Sequence, residues 1–381
     1  MKKKNIVILG STGSIGVSTL NVIRRYPGKF RVLGLSARSS LGLLERQVRE
    51  FRPEHICVGE EKDTAVLGRK YGRKAGVYSG TGGLEKLASL RAADTVLIAV
   101  VGSAGLYPLV SAVKAGKTIA LANKESLVAA GGIVSRLARK HGARIIPVDS
   151  EHSAIFQCMN GGNTAGVARI IITASGGPFF GRKVSFDRVT VRQALNHPRW
   201  NMGKKITVDS ATMMNKGLEI IEAHHLFKMP LGRISMLIHP QSIVHSMVEF
   251  SDGAVMGLLS EPDMRLSIQY ALTYPERTGS GIRRLSLEKV SRLDFYKPDF
   301  GRFPCLALAL TAAGKGGTMP AVLNAADEAA VKGFLDGEIR FSAIPVLIEK
   351  VMKKHRNIKK PSLGHIIDSD AWAREEVKRM I

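Results

Sequence analysis

Two carboxylates flank a serine in Val148-Asp149-Ser150-Glu151-His152-Ser153, in a chain with 56 Lys and Arg against 32 Asp and Glu. In an extended segment, side chains two residues apart point the same way, so Asp149 and Glu151 would share a face. Like charges that close need something positive between them. A helix start explains the same residues, with Asp149 or Ser150 as N-cap and an acid in the first turn. The six residues alone leave both open.

A second chemical signature is the glycine spacing in "ILGSTGSIG", with Gly10, Gly13 and Gly16 between an apolar run and a helical pattern. Glycines there permit a tight turn and close backbone approach to a pyrophosphate, and the helix N-terminus favours the anion. The spacing is G-x-x-G-x-x-G, so the strand–turn–helix context carries the dinucleotide reading. The next strand ends in Arg38, Ser39 and Ser40 with no acid to hold ribose hydroxyls. A cation with hydroxyls suits the 2′-phosphate of NADPH, the alternative being an arginine that is merely exposed.

In "ALANKES", Asn123, Lys124 and Glu125 follow a buried-strand pattern, at the sheet edge where ligands bind. A helix cap at Asn123 or Ser126 with a surface Lys–Glu pair reads equally well. "HPRWNMGKKITVDSATMMNKGLE" combines His197, Trp200 and Met202 between Pro198 and Gly203, the make-up of a lid over 196–204, or of a loop anchored by a tryptophan. Ser210, Asn215 and Lys216 offer a hydroxyl, an amide and an ammonium to a phosphate. Glu219 lies three residues past Lys216 on the same helix face, a spacing usually filled by a solvated ion pair.

These residues need a scaffold. Over the first ~150 residues, strands at Asn5–Leu9, Phe30–Leu35, His55–Val58, Thr95–Val101, Thr118–Leu121 and Arg144–Pro147 alternate with helices at Ile15–Tyr26 and Leu41–Phe51, the pattern of a parallel sheet. Gly116 sits where a helix end needs a left-handed residue. Beyond Ser150 the spacing predicts strands at Ala168–Thr173, Ile243–Phe250 and Ala254–Leu259 and a helix at Met213–Phe227. Four amphipathic stretches follow, Pro304–Ala313, Pro320–Phe334, Ala343–His355 and Asp370–Met380, the last capped by Asp368 or Ser369. The expected class is α/β: a Rossmann-like dinucleotide-binding domain over 1–149, a catalytic α+β domain over 150–277, a linker over 278–299 and a C-terminal helical bundle over 300–381.

Composition excludes several alternatives. Cys57, Cys158 and Cys305 are far apart and odd in number, with no zinc spacing or disulfide framework, which suits a reducing cytoplasm. The uncharged run 95–113 is broken by Gly102, Gly105 and Pro108, so a buried strand, turn and helix start explain it better than a membrane span. The net charge of +24 is scattered without aromatic interleaving, which favours a solvated basic surface over nucleic-acid binding. A semialdehyde-type dehydrogenase would need a nucleophilic cysteine, and no motif surrounds Cys57 or Cys158.

The blocks "GSTGSIG", "LANKES", "VDSEHSAIFQ", "ASGGPF", "HPRWNMGKKITVDSATMMNKGLE" and "FPCLALAL…LNAADE" together resemble the 1-deoxy-D-xylulose 5-phosphate reductoisomerases along essentially the whole chain. The resemblance implies an NADPH-dependent enzyme of the non-mevalonate isoprenoid pathway, probed best by its site residues. It implies that Asp149, Glu151 and Glu219 bind one divalent cation, Mg²⁺, Mn²⁺ or Co²⁺, a choice that hard carboxylate oxygens suit. It implies that Ser175, His197, Ser210, Asn215 and Lys216 hold the substrate, mostly at its phosphate, that Ser150 and Lys124 meet its reacting end, and that Trp200 covers it. Thr12, Gly13, Ser14, Ile15, Asn123, Glu125 and Gly203 would line the cofactor site, with Arg38, Ser39 and Ser40 at the variable 2′-phosphate turn. His152 receives no role beyond a structural hydrogen bond. The implied reaction is a rearrangement of a phosphorylated keto sugar, through retro-aldol cleavage and re-addition, followed by hydride reduction to 2-C-methyl-D-erythritol 4-phosphate. The family also implies a homodimer.

Overall fold

The computed structural model describes residues 3–160 and 166–381. The chain divides into two compact units, one formed by Met1–Ser126, Val134–Ser153 and Asp263–Ile282, the other by Leu127–Ile133, Ala154–Pro262 and Arg283–Ile381.

The first unit opens with β1 (Lys4–Leu9), α1 (Ser14–Arg25), β2 (Phe30–Ala37), α2 (Leu41–Phe51), β3 (His55–Val58), α3 (Glu61–Tyr71), β4 (Gly76–Ser79) and α4 (Gly80–Ala88). It continues with β5 (Thr95–Ile98), α5 (Leu106–Lys114), β6 (Thr118–Leu121), the two ends of α6 (Lys124–His141), whose residues Leu127–Ile133 belong to the second unit, then β7 (Arg144–Pro147) and the start of α7 (Ser150–Asn160). The seven strands form one parallel sheet in the order β4-β3-β2-β1-β5-β6-β7. The chain reverses direction across the sheet between β1 and β5, the place where doubly wound sheets bind ligands at strand carboxyl ends. Ile6, Val7, Ile8 and Leu9 are all inaccessible to solvent, as a central strand covered on both faces requires.

In the second unit, β8 (Val167–Ala174) is followed by α8 (Val191–Leu195), α9 (Lys204–Thr212) and α10 (Met214–Phe227), then β9 (Ile234–Ile238), β10 (Val244–Phe250) and β11 (Val255–Leu259). The sheet is mixed, in the order β11-β10-β8-β9, with β8 and β9 parallel and the other pairs antiparallel. After α11 (Met264–Thr273), which belongs to the first unit, come α12 (Leu287–Val290) and four longer helices: α13 (Pro304–Lys315), α14 (Met319–Leu335), α15 (Ala343–Lys354) and α16 (Leu363–Lys378). The core of this unit joins the sheet, α10 and the four C-terminal helices.

The α/β class and the C-terminal helices agree with the sequence pattern, and Gly116 does take a left-handed conformation, with φ 65°. Several elements differ. The strand from Thr95 ends at Ile98, because the chain turns at Gly102 with φ 69°. The helix over Met213–Phe227 is preceded by α9, and Met213, at φ 64°, breaks the two apart. α16 begins at Leu363, seven residues before Asp370, where Ser362 and His365 form a capping box, so Ser362 replaces Asp368 or Ser369 as the cap. α3, β4 and α4 gave weak patterns because α3 buries only Leu67, no β4 residue is fully buried and α4 carries three glycines.

Candidate active site

The first unit gathers its predicted residues at the carboxyl ends of its strands. The turn after β1 is fixed from behind: Gly10 N–H donates to Ser36 Oγ at 2.9 Å, and Ser11 Oγ donates to Gln47 Oε1 at 2.7 Å. Gly10 has φ 89°, and a Cβ there would stand 2.7 Å from the Ala99 carbonyl oxygen. A Cβ at Gly16 would stand 2.3 Å from the Gly10 carbonyl oxygen. Both glycines are therefore required by the chain itself. Gly13 is different, since a Cβ there meets nothing closer than 3.6 Å. Exposed beside Ser14 at the mouth of α1, Gly13 leaves its backbone open to a ligand. Thr12 and Ile15 flank it, and Arg38, Ser39 and Ser40 stand exposed at the end of β2.

Asn123 is the N-cap of α6: its Oδ1 accepts from Ser126 N–H at 3.1 Å, while its Nδ2 donates to the carbonyls of Val100 and Gly102 and to Glu125 Oε2, each at 2.9 Å. The capping alternative for this residue is thus correct. The surface Lys–Glu pair is not. Lys124 is buried, and its Nζ lies 2.5 Å from Asp149 Oδ2. The extended geometry weighed for Asp149 and Glu151 is also absent. β7 stops at Pro147 and α7 begins at Ser150, so Asp149 stands just before a helix and Glu151 in its first turn. Ser150 Oγ donates to Glu151 Oε2 at 2.5 Å. His152 is inaccessible to solvent, with Nδ1 4.0 Å from Asp149 Oδ1.

The second unit brings Ser175, His197, Ser210, Asn215 and Lys216 onto the turn after β8, the segment before α9, α9 and α10. Ser175 follows β8 in a turn with Gly176 at φ 83° and Gly177 at φ 66°. A Cβ on Gly177 would stand 2.5 Å from the Ser210 carbonyl oxygen, so glycine lets this turn close onto α9. His197 Nε2 lies 2.9 Å from Ser175 Oγ, and its Nδ1 accepts from the backbone N–H of Arg199 at 3.1 Å and of Trp200 at 2.9 Å. An Nδ1 that accepts carries no proton, so the proton is on Nε2, aimed at Ser175. Burial, with the Lys216 ammonium as a second cause, pulls the His197 pKa down to about 4. The ring is neutral at pH 7 and is a hydrogen-bond donor through Nε2.

On α10, Lys216 Nζ lies 2.6 Å from Glu219 Oε2, and Asn215 Nδ2 donates to Glu219 Oε1 at 2.6 Å. The solvated ion pair that this spacing usually forms is not what is found: Lys216 is 6% exposed and Glu219 1%. Trp200 is half-buried, its ring edge-on to His245 with centroids 6.4 Å apart. Gly203 is the N-cap of α9. His245 was not foreseen. It is buried on β10, bonded to Ser260 Oγ at 2.8 Å, and its pKa is drawn down to about 4 mainly by burial. In an apolar strand pattern a histidine of this kind looks the same as any satisfied core histidine, so only its contact with Trp200 marks it.

The thiols fit no nucleophilic role. All three cysteines are buried, burial raises the Cys57 pKa to about 12, and Cys305 is also held well above its ordinary value.

A parallel sheet with an open glycine turn at the carboxyl end of its first strand is the frame of a nicotinamide-dependent enzyme. Three family models match in succession: 1-deoxy-D-xylulose 5-phosphate reductoisomerase over residues 6–131, its C-terminal domain over 145–227, and the DXP reductoisomerase C-terminal domain over 259–376. The 1-deoxy-D-xylulose 5-phosphate reductoisomerase of Thermodesulfovibrio yellowstonii is 50% identical over 379 residues, covering 99% of each chain. That of Pelotomaculum thermopropionicum is 52% identical over 379 residues, covering 97% of each. A crystal structure of a reductoisomerase complex with NADPH, fosmidomycin and magnesium superposes with TM-score 0.94 at 41% identity, covering 99% of each chain. The Zymomonas mobilis enzyme in complex with NADPH gives TM-score 0.92 at 40% identity, over 100% of this chain and 99% of that one. The chain belongs to the 1-deoxy-D-xylulose 5-phosphate reductoisomerase family.

Proposed function

We propose that the chain converts 1-deoxy-D-xylulose 5-phosphate to 2-C-methyl-D-erythritol 4-phosphate with NADPH and one divalent cation, Mg²⁺, Mn²⁺ or Co²⁺. Asp149, Glu151 and Glu219 would hold the cation, and hard carboxylate donors suit such an ion. When bound, the cation supplies Lewis acidity to adjacent sugar oxygens and NADPH supplies a hydride. The observation that carries this reading is the placement of the partly exposed Asp149 and the buried Glu219 against lysine ammoniums, at 2.5 and 2.6 Å. A buried carboxylate is costly, and a structural role would be served as well by apolar residues.

The remaining residues bind and orient. Lys124 sets the position of the Asp149 carboxylate and, with Ser150, meets the reacting end of the sugar. Ser175, the neutral His197 Nε2–H, Ser210, Asn215 and Lys216 hold the phosphate, far from the bonds that change, so that binding energy there fixes orientation. Trp200 on segment 196–204 covers the sugar and excludes water. Thr12, Gly13, Ser14, Ile15, Asn123, Glu125 and Gly203 line the cofactor, and Arg38, Ser39 and Ser40 meet its 2′-phosphate. In this scheme 1–149 bind the cofactor, 150–277 carry the chemistry, 278–299 connect and 300–381 buttress.

We also propose a homodimer in the cytoplasm. β11 is an edge strand with Val255, Met256 and Leu259 exposed, an edge that a second copy would cover. The three free, buried cysteines suit a reducing compartment, and among the described residues no helix is long and apolar enough to cross a membrane. The functional test follows NADPH absorbance with deoxyxylulose phosphate, with and without Mg²⁺ or Mn²⁺. Metal-dependent oxidation with formation of the methylerythritol phosphate is expected, and its absence would overturn the proposal.

A further inference from the structure

Helix α9 connects two parts of the site just described. It starts at Gly203, whose carbonyl accepts from the Thr207 N–H and Oγ1–H at 3.1 and 2.8 Å. Its other end carries Ser210 against Gly177. Lys205, in its first turn, reaches two carboxylates: Asp209 Oδ2 at 2.6 Å, one turn along the same helix, and Asp327 Oδ2 at 2.8 Å, on α14. Asp209 is 2% exposed and Asp327 0%.

The local pair is enough to neutralise Lys205. Adding Asp327 brings a second buried carboxylate to one ammonium, which folding stability alone does not favour. The negative field of the cluster also reaches Cys305 on α13, whose thiol is held well up by burial, Asp327 and Asp209. The stability cost makes sense if the contact does something else, namely tie the start of α9 to the C-terminal helices.

We propose that Asp327 is a positioning residue for turnover. Through Lys205 it fixes the hinge at which segment 196–204 joins α9, and with it the placement of Ser210 at the phosphate corner. This rests on the function proposed above, in which 196–204 is a lid and Ser210 a phosphate ligand.

The test uses the full-length enzyme with Trp372→Phe as background, which leaves Trp200 as the remaining tryptophan. Asp327→Leu removes the tie but leaves the Lys205–Asp209 pair neutral, so this variant keeps its fold. It is expected to raise KM for the sugar phosphate about tenfold and to slow the Trp200 fluorescence change on substrate addition, with a smaller effect on kcat. Asp327→Asn, whose amide oxygen takes the place of Oδ2 facing Lys205, is expected to keep both values near the parental ones. Asp209→Asn leaves the link between helices intact and keeps the parental KM. Parental KM and Trp200 kinetics in Asp327→Leu overturn the proposal, as does an Asp209→Asn variant impaired like Asp327→Leu. Should Asp327→Leu not fold, Asp327→Ser, whose side chain is too short to reach Lys205, takes its place: it is expected to show the same KM rise and slowed Trp200 change, and parental values in it overturn the proposal. Failure of the background enzyme itself to turn over would instead contradict the functional reading.

Discussion

Two carboxylates, the partly exposed Asp149 and the buried Glu219, each touch a lysine ammonium, but the chain arranges the contacts in different ways. Glu219 meets Lys216 within one helix, three residues apart, and accepts a further hydrogen bond from Asn215. That contact forms wherever α10 forms. Asp149 meets Lys124 across the sheet, because β6 and β7 are parallel neighbours whose carboxyl ends deliver both residues to one edge. That contact exists only when the sheet is assembled. The difference fits the division of work proposed for the two lysines, with Lys124 at the reacting end of the sugar and Lys216 at its phosphate.

The largest expected effect is at the sheet edge. Asp149→Asn should lower turnover by about 10³-fold or more while NADPH affinity, measured by fluorescence titration, stays nearly constant. Equal loss of both would remove the metal role from Asp149. Next comes the lysine contrast. Lys124→Met should lower kcat and Lys216→Met should mainly raise KM, each by about 10²-fold. If both variants change the same parameter, the division of labour between the two regions is wrong.

A smaller effect separates the glycines. Gly13→Ala should weaken NADPH binding about tenfold without changing thermal stability, whereas Gly16→Ala should lower thermal stability, because only Gly16 is needed by the chain's own packing. A Gly13→Ala protein with unchanged NADPH affinity would make the open turn an ordinary one.

The smallest effect is in pH. His197 and His245 titrate near 4 in the fold against 6.5 outside it. A depressed folded pKa means that the unfolded chain takes up protons first, so the stability held by neutral rings is present above about 6.5 and lost as pH falls toward about 4. Thermal scans between pH 7.5 and 4.5 should show a falling melting temperature, with a shallower slope in His245→Phe. An identical slope in that variant would separate His245 from the effect.

Legibility in the sequence follows the same local-to-distant division. The glycine turn, α2, β6 and β7 were readable because strand and helix periods are local. The Lys216–Glu219 spacing was readable too, although its burial was not. The Lys124–Asp149 contact was hidden, since nothing within either segment names its partner. Asp149 and Glu151 were open to two readings, an extended pair or a helix start, and the end of β7 at Pro147 with α7 beginning at Ser150 decides for the helix start. His245 and Asp327 lie in patterns that read as core, and only their neighbours Trp200 and Lys205 distinguish them.

The central claim is that Asp149, Glu151 and Glu219 hold one cation between them, and Mn²⁺ titration followed by electron paramagnetic resonance tests it most directly. The wild-type protein should bind one Mn²⁺ per chain, and Asp149→Asn, Glu151→Gln and Glu219→Gln should each weaken that site about 100-fold. A Glu219→Gln protein that binds Mn²⁺ as tightly as the wild type, while Asp149→Asn does not, would contradict it.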